Sequence, residues 1–255
     1  LSQFLSPDIN QRTDAWGGSL ENRARIHLEI IKKCREEVGN DFAISIKMNS
    51  ADFQKGGFSP EDSIQVAKLF SDSGIDNIEI SGGTYEQPRL LGLDKVSINP
   101  KRSENRKEST IAREAYFLSY AEEIAKVVNI PLMVTGGFRT KEGMEAALRD
   151  GACEIVGVGR PLCANPYAIK ELLSGQIDEL PKYEKTLSIG PWWLSPTSPF
   201  RLIQAINAFS AQAWFYQQIK KMGKGLMPDL NLKPWKAFRE DAKADQEAIK
   251  EYQNF

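Results

Sequence analysis

The sequence predicts an α/β fold, a (β/α)8 TIM barrel seen from its fourth helix onward, so that strands 5 to 8 and their helices are present and a helical tail follows. Three observations predict it. Short runs rich in β-branched residues alternate with helical patterns, which implies parallel strands joined by right-handed crossovers. Glycines stand at the C-terminal ends of the last two runs, where barrels build a phosphate site. No Gly-x-Gly-x-x-Gly follows a first strand, which argues against a doubly wound dinucleotide fold.

The strand runs are Phe42 to Met48, Ile75 to Ile80, Ile130 to Val134 and Glu154 to Val158, each bounded by Gly, Asp or Asn. A helix opens at Ser19, carries Leu20, Ala24, Leu28, Ile31 and Val38 on one apolar stripe, and ends at Gly39. Ser59-Pro60-Glu61-Asp62 joins a capping hydroxyl, a proline at the first helical position and two acids in the first turn, and Gly74 closes the helix it starts. A third helix is expected from about Ile111 to Val128, and a fourth from Thr140 to Gly151.

Residues 1–180 form the barrel portion in this reading, and 181–255 an aromatic-rich extension with Trp192, Trp193, Trp214, Phe215, Tyr216 and Trp235. Its helix, roughly Phe200 to Met222, reads as amphipathic with a basic end. Membrane association is one use of such a helix. Packing on the barrel or on a neighbouring subunit of a homo-oligomer is favoured, because the aromatics need cover.

The chain has 255 residues and 41% hydrophobic content, enough for one sizeable core. Its 33 Lys+Arg nearly balance 34 Asp+Glu, which excludes the electrostatic footprint of a nucleic-acid binder and leaves a small molecule as the expected partner. Cys34, Cys153 and Cys163 have no metal-ligand spacing, and their odd number argues against a disulfide framework. No long apolar run or signal-like segment occurs, so a cytoplasmic protein without an integral membrane segment is expected. The first residues, Leu1 to Pro7, read as the exit of an apolar element without an initiator methionine, which leads us to expect an N-terminus shorter than the intact protein's.

The chemistry concentrates on two segments, Leu132-Met133-Val134-Thr135-Gly136-Gly137-Phe138 and Ile155-Val156-Gly157-Val158-Gly159-Arg160-Pro161. Each is a short strand ending in glycines before a helix start, so backbone N–H groups can converge on an anion, and Arg160 adds a charged fork. A tight turn would explain Gly136 and Gly137 alone. Their pairing with Gly159 and Arg160 favours a phosphate cup.

Lys47 lies inside an apolar strand, on the face shared with Ser45 and Asn49 that would point into the barrel. A cation there is costly unless paired or bound to a ligand, and a functional role is favoured over a snorkelling or internally paired lysine. Ser81-Gly82-Gly83-Thr84-Tyr85 either lines the same rim or merely turns the chain, and the basic stretch Lys95 to Lys107 reads as a solvated loop. His27, the only histidine, sits on an outer helix and receives no catalytic role. Asn10 to Ser19 is rich in turn formers and reads as a structured loop.

The segment SPDINQRTDAWGGSLENRAR, the strand IKMNS, IEISGGTYEQP, REAYF at Arg113 to Phe117, MVTGGFRT and VGVGRPLCANP together closely resemble the old yellow enzyme family of NADH:flavin oxidoreductases, which are FMN-binding (β/α)8 barrels. The resemblance covers about residues 1 to 180. It implies that Gly136, Gly137, Gly159 and Arg160 hold the FMN phosphate, that Phe138 packs beside the cofactor, and that Lys47 stands near the flavin N1 and C2 carbonyl, where relatives often have arginine. Lysine keeps the charge but lacks the planar fork.

The implied chemistry is hydride transfer from NADH or NADPH to FMN and then to an electron-poor acceptor such as an activated alkene. In the family a His-x-x-His or His-x-x-Asn pair binds the acceptor and a tyrosine donates the proton. Both lie upstream of the residues matching Leu1, so no catalytic residue is assigned here. Two other functions remain open: a phosphosugar isomerase or synthase with Lys47 as Schiff-base nucleophile, and a non-catalytic degenerate barrel.

Overall fold

The computed structural model describes residues 1–52, 56–81 and 118–253. The chain opens with one helical turn, α1 (Ser2–Leu5), that no pattern announces. The loop after it is built as its turn formers imply. Asn10 Nδ2 donates to the carbonyls of Phe4 and Trp16, both at 2.8 Å, and Gly17 packs so closely that a Cβ would fall 2.6 Å from Arg12 Cβ.

α2 (Leu20–Val38) starts at Ser19, whose Oγ accepts the Asn22 N–H at 3.4 Å, and stops at Gly39 with φ +74°. Both ends match the sequence reading. The buried stripe holds Ala24 and Ile31, with Leu20 and Leu28 partly covered, but Val38 is exposed. Buried Arg23 donates to Leu5 O and pairs with Asp62 at 3.0 Å, tying α1 and α2 to the next helix.

β1 (Ser45–Asn49) begins later than its apolar run, leaving Phe42 exposed. The Ile44 N–H instead reaches Asp76 Oδ2 at 2.7 Å, and that contact, reinforced by Arg35, holds the Asp76 carboxyl below its ordinary pKa. α3 (Pro60–Asp72) is capped by Ser59, which accepts the Asp62 N–H at 3.0 Å, and Gly74 follows its end with φ +86°. Its Val66, Ala67 and Phe70 are fully buried, each large side chain contributing about 1.5–3 kcal/mol by leaving water.

β2 (Asn77–Ser81) follows, then α4 (Leu118–Ala125), which ends before the expected Val128. The earlier part of that expected helix, from Ile111 to Phe117, lies outside the described residues, as do Gly82 to Tyr85 and Lys95 to Lys107. β3 (Leu132–Thr135), α5 (Lys141–Arg149) and β4 (Ile155–Gly157) complete the series, with Thr140 Oγ1 accepting the Gly143 N–H at 3.1 Å.

The four strands form one sheet in the order β1-β2-β3-β4, every pair parallel. Sequential parallel strands with helices against one face make the partial (β/α)8 barrel that the sequence predicts. Met48, Ile78, Ile80, Leu132 and Val134 bury that helix-facing side with Phe70 and Ile124.

The described residues divide into two compact units, 1–158 and 159–253. The second contains α6 (Arg160–Ala164), α7 (Ala168–Leu173), single 3-10 turns at Tyr183–Lys185 and Trp192–Leu194, α8 (Arg201–Gly223) and α9 (Pro234–Gln253). Trp214 anchors its core, with Nε1 donating to Leu232 O at 2.8 Å and its ring edge-on to Phe215 at 5.1 Å. α8 has nearly the expected bounds but is not amphipathic. It buries Asn207, Ser210 and Gln218 while Leu202, Phe209 and Tyr216 are exposed. Gln218 is tolerated because its amide donates to Asp229 O at 3.1 Å and accepts the Asp229 N–H at 2.6 Å. Among the described residues no helix is long and apolar enough to cross a membrane.

Candidate functional site

Strand alternation places Ser45, Lys47 and Asn49 on the sheet face opposite the helices. The register continues one row across all four strands: Lys47 opposite Glu79, Glu79 opposite Met133, Met133 opposite Ile155. Lys47 Nζ lies 2.6 Å from Glu79 Oε1, and Ser45 Oγ donates to Asn77 Oδ1 at 2.7 Å. In this row the β1–β2 half is therefore polar and the β3–β4 half apolar. Lys47 has an internal partner, which the sequence reading placed second.

At the C-terminal ends of the strands the backbone is tightly determined. Gly136 and Gly137 have φ +138° and +83°, conformations that L side chains rarely adopt. Beside them, β3 and β4 approach so closely that a Cβ on Gly157 would run into Thr135 Oγ1 and stand 2.8 Å from both Thr135 Cβ and Met133 Cε. Thr135 Oγ1 is itself buried without a hydrogen-bond partner. Phe138, next in the chain, has 2% of its surface exposed and belongs to the apolar core.

Lys47, Gly136, Gly137 and Phe138 all belong to the first unit, whereas Gly159 and Arg160 begin the second, directly after β4. A Cβ on Gly159 would meet nothing within 4 Å. Arg160, half-buried, is the first residue of α6, whose turn closes with the Leu162 N–H donating to Gly159 O at 2.9 Å.

Sequence reasoning missed Glu79, Thr135 and Gly157. The alternation Ile78-Glu79-Ile80 carries a signal for Glu79, since a charge between two core positions must share the Lys47 face. Thr135 and Gly157 become special only through the β3–β4 register.

A second feature of this unit is a pocket of about 120 Å³ beside β1, lined by Leu5, His27, Lys47, Asn49, Asp52 and Phe70 among others. His27 is buried, tilted against Phe70 at 5.6 Å between ring centroids, and burial pushes its pKa below the ordinary imidazole value. Burial likewise raises the Cys153 thiol, which disfavours its thiolate form. All three cysteines are unpaired, and among the described residues no cluster of His, Cys, Asp or Glu could hold a metal.

A model of the NADH:flavin oxidoreductase / NADH oxidase family matches residues 1–179, and the chain belongs to this family, the old yellow enzymes that its motifs resemble. It is 34% identical over 228 residues to an NADH-dependent flavin oxidoreductase of Talaromyces variabilis, covering 88% of this chain and 52% of the relative. An NADH oxidase of Thermoanaerobacter brockii is 34% identical over 222 residues, covering 87% of this chain and 32% of the relative. Among solved structures, a 2-naphthoyl-CoA reductase in complex with 2-naphthoyl-CoA is similar, with a TM-score of 0.57, 31% identity, and coverage of 70% of this chain and 25% of that one. The chain thus spans about half the length, or less, of the relatives it matches.

A flavin, FMN, and NAD(P)H as its reductant are the cofactors of this family. The residues present fit a phosphate-bearing cofactor. Two consecutive glycines bare the backbone at the end of β3, and the buried Thr135 hydroxyl beside them lacks a partner.

Proposed function

We propose that the full-length protein is an FMN-dependent NAD(P)H oxidoreductase of the ene-reductase type, passing hydride to an electron-poor small-molecule acceptor such as an activated alkene. The carrying observation is the match of residues 1–179 to the NADH:flavin oxidoreductase family. The double-glycine turn at the end of β3 and the lysine on the helix-free face support it.

In this reading Gly136, Gly137, Gly159 and Arg160 bind the FMN phosphate through backbone N–H groups and a guanidinium. Phe138 packs beside the cofactor, and Lys47 faces the ring. Bound FMN supplies the hydride-carrying chemistry, and the protein orients it and balances the charge it acquires. The free cysteines and balanced charge favour a cytoplasmic protein without nucleic-acid partners. The Schiff-base alternative gains nothing from the geometry, since Lys47 Nζ is committed to Glu79.

Purified full-length protein should carry flavin absorbance that NADH bleaches anaerobically and an activated alkene restores. Protein that neither contains nor takes up FMN would sink the proposal. Arg160→Ala should weaken FMN affinity by about 1.5–3 kcal/mol, the worth of a hydrogen bond to a charged group. Unchanged flavin occupancy would remove Arg160 from the phosphate site.

A further inference from the structure

We infer that Glu79 is a positioning residue that fixes the Lys47 ammonium on the helix-free face and, by offsetting its charge, sets the reduction potential of the flavin. This rests on the flavin reading of the site above. Glu79 and Lys47 are register partners on adjacent parallel strands, and their charged atoms meet at 2.6 Å. The Glu79 side chain is 19% exposed against 55% for Lys47, so the carboxylate is the fixed member and the lysine is the one being aimed.

The polar neighbours on this face have partners of their own. Ser45 donates to Asn77 at 2.7 Å, and Asn49 reaches Asp52 at 3.4 Å. The rest of the row, Met133 and Ile155, is apolar. Glu79 is therefore the charged group that meets Lys47 among the described residues of this face.

A lone cation beside an acceptor of electrons favours the reduced state, because reduction adds negative charge next to it. A lysine paired with a carboxylate exerts much less of that pull at a distance. Without Glu79 the lysine would also lose its anchor and sample its rotamers. Glu79 thus tempers the potential that Lys47 raises and keeps the ammonium in one place.

Redox titration of the full-length holoprotein with a reference dye, beside FMN binding in both oxidation states, tests the inference. Glu79→Gln should raise the midpoint potential, and the preference for reduced over oxidised FMN should grow about tenfold, the order expected of one unit charge in a partly exposed site. Glu79→Asp, which keeps the charge, should remain near wild type. In a Lys47→Met background the Glu79→Gln shift should change in size, the change being the share that passes through the lysine's position rather than through the carboxylate's own charge.

An unchanged potential in flavin-replete Glu79→Gln protein overturns the inference and leaves the flavin reading intact. So does a shift of the same size without Lys47, which would leave Glu79 no part in positioning the lysine. A purely structural Glu79 would lower the melting temperature and flavin occupancy without moving the potential of the bound fraction, and that result too overturns it. Wild-type protein that takes up no FMN overturns the flavin reading itself, and this inference with it.

Discussion

Gly157 and His27 show how single positions are decided by what lies beside them. The β3–β4 register leaves no room for a Cβ at Gly157, since Thr135 occupies the space. Gly157→Ala should therefore destabilise the full-length protein by about 1–3 kcal/mol, the usual cost of overpacking, as read from urea midpoints. Thr135→Ala, which removes the Oγ1 that a Cβ at Gly157 would meet first, should recover part of the loss in the double variant. Burial depresses the His27 pKa in the folded state, while the unfolded imidazole keeps its ordinary value near 6.5. Below that value the unfolded chain binds the extra proton first, so this residue's contribution to stability is full above about pH 6.5 and declines as pH falls toward the folded pKa. Urea midpoints should thus drop between pH 7.5 and 5.5, and His27→Gln should flatten part of that slope. A slope identical in the variant would show that other groups carry the acid sensitivity.

The elements that formed as read are those with local start and stop chemistry. α3 has a capping hydroxyl, a first-turn proline and a glycine stop, and Ser59 indeed accepts the Asp62 N–H at 3.0 Å. Ser59→Ala should cost about 1 kcal/mol in the same urea assay, whereas Ser59→Asp should be nearly neutral. Ser19 with Gly39 and Thr140 with Gly151 were legible for the same reason. What was not legible depended on neighbours distant in sequence. Phe42 looks like the start of a strand, yet Asp76 captures the Ile44 N–H and β1 begins at Ser45. α8 looks amphipathic, yet Asp229 and Leu194 satisfy Gln218 and Asn207, so polar residues fill buried positions that a pattern would give to leucine. The glycine turn of the candidate site was visible in the letters Gly136-Gly137, but the partnership of Lys47 with Glu79 needed the pairing of β1 with β2.

At the scale of the whole chain, the sheet itself makes the strongest demand. Among the described residues β1 pairs only with β2 and β4 only with β3, so each keeps one row of backbone donors and acceptors without a strand partner. The helix-free face adds apolar surface, with Ile155 42% exposed beside Met133. Such edges recruit other strands, and a barrel gains its stability by having none. In a closed (β/α)8 barrel such edges meet the barrel's other strands, and the site at the C-terminal ends is built from loops of several strands. The 255-residue polypeptide produced alone should therefore self-associate and bind FMN weakly or not at all, while the full-length protein binds it stoichiometrically. Sedimentation velocity at micromolar concentration, with FMN fluorescence quenching on the same samples, reads both properties. A lysine placed on the outer edge, Ile155→Lys, should reduce the association of the isolated chain without restoring FMN binding, because it blunts the exposed face but supplies no missing strands. A stable monomer of the 255-residue chain carrying one FMN would show that this part of the barrel suffices to hold the cofactor, and would move the binding determinants entirely onto residues of this chain such as Lys47, the Gly136–Gly137 turn and Arg160.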